Sequence, residues 1–393
     1  MRPYMKWLGA ATACAALGAV AFFATAYSAR AADKGGLDHG MADLEERVAE
    51  LEATTARKGT RRMTLVISGQ VSKALLWHDI NGLAGTDKLR VIDNPNSGTR
   101  IRFAGEAKAG ASTSFGFLFE MGLDETAGTG LGIARDDFTI RHSAVWMETK
   151  QVGRLTVGRT STATDSIVEI DLSNANVASL PMSVEPIWTY SGLPGILGGL
   201  LNPVAFDGGR ANIVRYDTPL MAGFQASASW GGGQSAGGLG DDMYDLALRY
   251  AGEFGGFRFA AGAGYRVDRY NSFSASDQRT LAGSASLMHT LSGLFASVAA
   301  GRQTDNPIFG DVQMWQVRGG WERNITKAGA TTLFAEYGAH DLRTFDVDST
   351  FWGIGVVQSL DAVSADLFVS YRSYDIGGAL DAQTGMAGIR LRF

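Results

Sequence analysis

Residues 386–393 read Met-Ala-Gly-Ile-Arg-Leu-Arg-Phe, and within them Ala387, Ile389, Leu391 and Phe393 alternate with Gly388, Arg390 and Arg392. Successive side chains on a strand point to opposite faces, so this stretch has one apolar or small face and one carrying two guanidiniums. Such a strand suits a wall with lipid outside and water within. It suits equally the last strand of a secreted β-sandwich. The rest of the chain decides between them.

At the other end, Arg2 and Lys6 precede an apolar stretch from Leu8 to Tyr27, and Ala29-Arg30-Ala31 supplies the small residues at which a signal peptidase cuts. The expectation is a signal peptide over residues 1–31 and a mature chain from about Ala32. Cys14 is the single cysteine of the sequence and falls inside that signal, so the mature protein is expected to have no disulfide or thiol chemistry. Loss of Arg2, Lys6 and Arg30 takes three positive charges from a formal charge of −5 and leaves about −8. A mildly acidic chain of this kind does not bind nucleic acid. Past the signal no apolar run reaches the roughly 18 residues of a transmembrane helix. Hydrophobic residues still make up 45% of the sequence, with 51 glycines, as a wall that hides its apolar residues in alternation requires.

Residues 32–62 differ in kind from the rest of the mature chain. Met41, Leu44, Val48 and Leu51 are spaced as a short heptad seam with Glu45, Glu46, Arg47, Glu50 and Glu52 between them. The alternatives are a periplasmic coiled coil over 38–58, held together if the protein trimerises, and a lone amphipathic helix or linker.

From Met63 onward, alternation and turn signals mark sixteen candidate strands, beginning with 63–79, 98–109, 113–122, 137–149 and 152–159 and ending with 383–393. Their length of about ten residues is that of a tilted strand crossing a bilayer. Connections run long, short, long, short, with short ones near 110–112, 150–151, 219–220 and 254–255. An up-and-down barrel with short periplasmic turns and long outer loops has that rhythm, whereas a Greek-key sandwich does not. The faces sort accordingly: Phe257, Phe259, Ala261 and Tyr265 share one side of a strand, and Arg258, Arg266 and Asp268 the other. Trp77, Trp146, Trp230, Trp315, Trp352 and Tyr371 stand on the apolar parity near strand ends and are expected to form interfacial girdles. Lys73 breaks the scheme on the apolar face of the first strand, where a subunit interface would shelter it.

One connection is far longer than the rest. Residues 160–209 lie between Val-Gly-Arg-Thr at 157–160 and Gly-Arg-Ala-Asn-Ile-Val-Arg-Tyr-Asp-Thr-Pro at 209–219, and contain Asp165, Glu169, Asp171 and Glu185. Irregular segments of this length in compact proteins are usually functional. With the aromatic Phe393 at the end of the last strand, these motifs resemble the general trimeric porins of Gram-negative outer membranes over residues 63–393. The resemblance implies an all-β fold, a sixteen-stranded antiparallel transmembrane barrel whose third loop folds inward and faces a ladder of arginines. It implies Arg159 and Arg210 as ladder members from their motifs, joined by Arg100, Arg102, Arg141 and Arg154 from the lumen parity. Asp165, Glu169 and Asp171 are the constriction acids expected by position, and Phe393 is the barrel-assembly terminus. The acidic-aromatic-glycine run of enterobacterial members is absent, and Thr-Ala-Thr-Asp-Ser-Ile-Val-Glu-Ile-Asp-Leu stands in its place at 162–172.

An acidic loop facing a basic wall sets up a transverse field in a narrow aqueous gap, which passes ions and polar solutes and slows apolar ones. The expected function is therefore passive diffusion of ions and small hydrophilic solutes across the outer membrane, by a homotrimer in contact with lipid and lipopolysaccharide. The alternatives are a channel selective for anions or carboxylates, and a structural tether touching peptidoglycan through 38–58. No cofactor or metal is expected: the five histidines lack ligand spacing, and no phosphate loop, nucleophile elbow or zinc-protease motif occurs.

Overall fold

The computed structural model describes residues 63–81, 88–129, 133–180, 206–232, 242–269, 276–307, 309–344, 346–378 and 380–393. The expected signal peptide at 1–31, the helical segment at 32–62 and Glu185 lie outside the described residues. The strands are β1 (Thr64–Ile80), β2 (Lys88–Asp93), β3 (Arg100–Lys108), β4 (Thr113–Thr129), β5 (Ile133–Thr149), β6 (Gly153–Ser161), β7 (Arg210–Asp217), β8 (Phe224–Gly232) and β9 (Asp242–Phe254). They continue as β10 (Phe257–Arg269), β11 (Gln278–His289), β12 (Leu294–Asn306), β13 (Gly310–Thr326), β14 (Gly329–Leu342), β15 (Val347–Leu360), β16 (Ala365–Ile376) and β17 (Leu380–Arg392).

From β3 onward each strand pairs antiparallel with the next, and β17 pairs with β1 to close the sheet. Both β2 and β3 pair with β1, one above the other, so the seventeen strands fill sixteen positions of a closed barrel. Closure leaves no edge with unsatisfied backbone groups, the condition for a sheet to stand in lipid. At the seam the Gly69 N–H donates to the Phe393 carbonyl at 2.8 Å, and the Phe393 N–H returns the bond to Gly69 at 3.0 Å.

The connections at one mouth are short, such as 150–152, 255–256 and 327–328. Gly255 and Gly256, with φ of 55° and 81°, make the two-residue turn that joins β9 to β10 without splaying them. These turns mark the periplasmic mouth.

Period-2 alternation survives along almost every strand. Leu246 and Leu248 of β9 face outward, while Met243, Asp245 and Ala247 are buried inward. Trp230, Tyr337 and Trp352 lie outward and exposed, and the rings of Trp352 and Tyr371 sit 5.4 Å apart on adjacent strands. Lys73 is outward as expected, and pairs with Asp93 at 3.5 Å. Trp146 departs from the expected girdle. It faces the lumen, its ring lying where a side chain on Gly116 across β4 would be, with the Arg154 guanidinium 4.3 Å above it. The reason is a bulge: Glu120 pairs with His142 and Met121 with Ile140, so Arg141 has no strand partner and the parity of β5 reverses there.

Between β2 and β3 the wall turns inward. Lys73 pairs with Asp93 and Gln70 with Arg100, so the six residues 94–99 stand opposite only Val71 and Ser72. By sequence this stretch reads as part of an outer loop. It lies instead at mid-height inside the barrel, because the Asp93 carboxylate accepts from the Thr99 N–H at 2.8 Å and closes the base of the turn.

Candidate functional site

The bulge in β5 has a functional result, since it turns Arg141 and His142 to the lumen side by side. Arg141 Nε donates to Glu120 Oε1 at 2.6 Å, and Arg102 Nε from β3 donates to Glu120 Oε2 at 2.7 Å. The carboxylate is thus shared by two guanidiniums. Arg100 lies two residues up the same face and donates to Gln70 Oε1 at 3.3 Å. Arg210, opening β7, donates to His142 Nε2 at 3.3 Å, which leaves the imidazole proton on Nδ1, 3.1 Å from Thr160 Oγ1. Arg100, Arg102, Arg141 and Arg210 form one cluster around Glu120.

From the end of β6 the chain leaves the wall and crosses the lumen. Its exit is held by Arg215, which donates to the Ser161 and Thr162 carbonyls at 3.0 and 2.9 Å, and by Arg249, which donates to the Ala163 and Asp165 carbonyls at 2.7 Å each. Asp245 accepts from the Thr164 N–H at 2.8 Å. Ile167 and Ile170 then pack over Gly262, and the Leu172 N–H donates to Ser286 Oγ at 3.0 Å.

Beyond that point the loop is bolted to the far wall. Arg318 of β13 reaches Asp171 at 2.7 Å and Glu336 of β14 at 2.8 Å, and Arg372 of β16 meets the other oxygen of Glu336 at 2.5 Å. Ser179 Oγ donates to Glu336 at 2.7 Å, and Asn174 Nδ2 donates to Asp366 at 2.9 Å. The apolar residues Ala175, Val177 and Ala178 join a cluster with Leu76, Ile92 and Met386 of the wall.

Asp165 and Glu169 lie within electrostatic reach of Arg210, together with Arg141 and Glu120. Burial, then the neighbouring Asp165 carboxylate, raises the Glu169 carboxyl above its usual range. Burial, then Glu169 itself, pushes Asp207 well above its own. These two carboxyls hydrogen-bond to one another, and burial together with their mutual repulsion disfavours the doubly charged pair.

The remaining expected residues lie elsewhere. Asp171 serves as a wall anchor on Arg318 and does not present its charge to the gap. Arg159 shares the outward parity of Leu155 and Val157 and donates to the Ile140 carbonyl at 2.8 Å. Arg154 sits at the periplasmic end of β6, bound to Glu148 at 2.5 Å and stacked on Trp146, away from the Glu120 cluster. Sequence reasoning missed Glu120, whose signal was a lone carboxylate on the lumen parity of an aromatic strand, and His142. It also missed the Arg318, Glu336 and Arg372 network. Among the described residues no three His, Cys, Asp or Glu side chains are arranged to hold a metal ion.

A family profile described as Gram-negative porin matches residues 11–379. No curated protein matches the chain by sequence. Among solved structures, the anion-selective porin from Comamonas acidovorans superposes with a TM-score of 0.59 at 16% identity, covering 84% of this chain and all 100% of that one. The outer membrane channel DcaP of Acinetobacter baumannii gives 0.58 at 14% identity, over 86% of this chain and 100% of its own. The trimer form of OmpT, an outer membrane protein of Vibrio cholerae, gives 0.54 at 17% identity, over 84% and 100%. At these identities the likeness is one of fold.

Proposed function

Because this chain belongs to the Gram-negative porin family of outer-membrane channels for passive diffusion, we propose that solutes cross it between two charged surfaces. One is the wall of Arg100, Arg102, Arg141 and Arg210, and the other is the loop bearing Asp165 and Glu169. The protein is integral to the outer membrane, and its family and fold are those of a channel rather than an enzyme.

The pathway favours anions modestly. The observation that carries this is the local charge balance: four guanidiniums converge on one wall carboxylate, Glu120. On the loop side, Asp171 is occupied by Arg318, and burial disfavours the charged forms of Glu169 and Asp207. Arginine keeps its charge when crowded, so the wall stays positive at every physiological pH.

The functional unit is a homotrimer. Lys73 stands on the outward parity of the wall with its side chain 37% exposed, and a lysine charge facing lipid near the bilayer midplane costs about 2–4 kcal/mol. A second copy seated over β1 to β6 removes that cost, and the rest of the apolar belt faces lipid and lipopolysaccharide.

Planar-bilayer recording on the purified protein tests all three readings. Stepwise conductances in threes, with an anionic reversal potential in a salt gradient, are expected. A cationic reversal potential overturns the charge balance, single independent steps overturn the trimer, and silence overturns the pathway.

A further inference from the structure

The inward turn at 94–99 belongs neither to the wall nor to the loop, yet it touches both. Its own shape is set locally. Asn94 Oδ1 accepts from the Asn96 N–H at 3.0 Å, the Ser97 N–H donates to the Asn94 carbonyl at 3.1 Å, and Asp93 closes the base on Thr99. That geometry is complete without the Asn94 amide nitrogen or the Asn96 side chain.

Those groups point at loop residues 177–180. Asn94 Nδ2 donates to the Val177 carbonyl at 2.9 Å, and Asn96 Nδ2 donates to the Ala178 carbonyl at 3.0 Å. Asn96 Oδ1 accepts in return from the Leu180 N–H at 3.3 Å. Asn94 has no exposed surface, and an amide buried this deeply without its partners would be costly. On its other side the turn grips the basic wall. Gln70 Nε2 donates to the Ser97 carbonyl at 2.9 Å while its Oε1 receives Arg100, and Ser97 Oγ receives Arg390 at 3.1 Å.

We propose that the turn at 94–99 is a second constriction element, a clasp in which Asn94 and Asn96 are positioning residues that hold loop residues 177–180 in register with Arg100 and Arg390. The loop is then fixed at its exit by Arg215 and Arg249, at Asp171 by Arg318, and at 177–180 by the clasp. This rests on the channel reading, because the clasp matters only if the gap it sets conducts.

The test is bilayer recording of Asn94→Asp/Asn96→Asp beside the wild type. Aspartate keeps the acceptor oxygens that shape the turn and receive Leu180, but cannot donate to the Val177 and Ala178 carbonyls. Open-channel current noise is expected to rise several-fold and the voltage of closure to fall, with strand circular dichroism and heat-resistant gel mobility unchanged. Asn96→Ala, which adds no charge, is expected to give the same noise at about half the size. If the aspartate variant does not fold, Asn96→Cys/Ala178→Cys replaces it. This variant is expected to record quietly when oxidised and noisily after reduction. Wild-type noise and closure voltage in the folded variants overturn the clasp, as does a cysteine pair indifferent to reductant. A wild type that conducts nothing overturns the channel reading instead.

Discussion

Arg318 Nη1 donates to the Asp171 carboxylate at 2.7 Å with one side chain 1% and the other 0% exposed, which makes the middle of the constriction loop part of the wall of β13. Arg318 also donates to Glu336, so a single guanidinium compensates two buried carboxylates.

Replacing that guanidinium leaves Asp171 without a counter-charge and Glu336 with Arg372 alone. Arg318→Ala is expected to lower stability by roughly 3–5 kcal/mol, the usual consequence of removing one partner from a buried ionic cluster. The loss is to be read as a lower dissociation temperature of the folded protein on gels. Arg318→Lys is expected to recover only part, because an ammonium cannot span Asp171, Glu336 and the Ser179 carbonyl with a planar fork.

Glu120→Gln removes the carboxylate that Arg102 and Arg141 share while keeping its shape. A unit charge a few Å from a passing ion is worth up to about 1 kcal/mol through water. The anion-to-cation permeability ratio is therefore expected to rise by roughly two- to five-fold in reversal-potential measurements at low salt. An unchanged ratio would mean that ions do not pass this cluster.

The Glu169 and Asp207 pair gives the channel a titration. Both carboxyls are raised above their unfolded values near 4. The folded state thus binds the extra proton, and the stability this contributes is lost as pH rises from about 4 through the raised folded range. Over that rise the loop gains a negative charge and anion preference is expected to weaken. Asp207→Asn is expected to flatten the pH dependence of the reversal potential, with the wild type as the sloping reference.

Gly116→Val puts a branched side chain where the Trp146 ring lies. Overpacking of this kind costs typically about 1–3 kcal/mol. Displacement of the ring also breaks the Arg154 stack, so thermal unfolding should shift downward together with a red shift of tryptophan emission. Trp146→Phe, which keeps a flat ring on the glycine, is expected to lose less.

The wall is legible because alternation is a direct imprint of lipid on one side and water on the other. The misreadings fall where a local device overrides the period. In β5 the outward parity of Ile140, carried forward by twos, assigns Trp146 to lipid, and the bulge at Arg141 cancels that count. Leu155 and Val157 assign Arg159 outward by parity, and the Gly-Arg motif points the opposite way; the parity wins. The turn at 94–99 carries Asn, Pro, Ser and Gly, which signal a loop but not its side of the wall. Within 162–180 no period exists at all. Whether Asp165 or Asp171 meets the gap depends on arginines 84 and 147 positions later in the chain, beyond the reach of any local reading.

That distance along the chain has a kinetic meaning. Asp171 waits for Arg318, 147 positions on, Asn174 for Asp366, 192 on, and then for Arg390, 216 on. Contacts so remote in sequence form slowly, because long stretches of chain must be ordered first. The anchors of 171–180 on Arg318, Arg372 and Arg390 therefore form only when the last strands are in place, although Arg215 and Arg249 can hold the exit of the loop earlier. The strands that close the barrel are thus the ones that seat its narrowing, so closure and constriction are completed together.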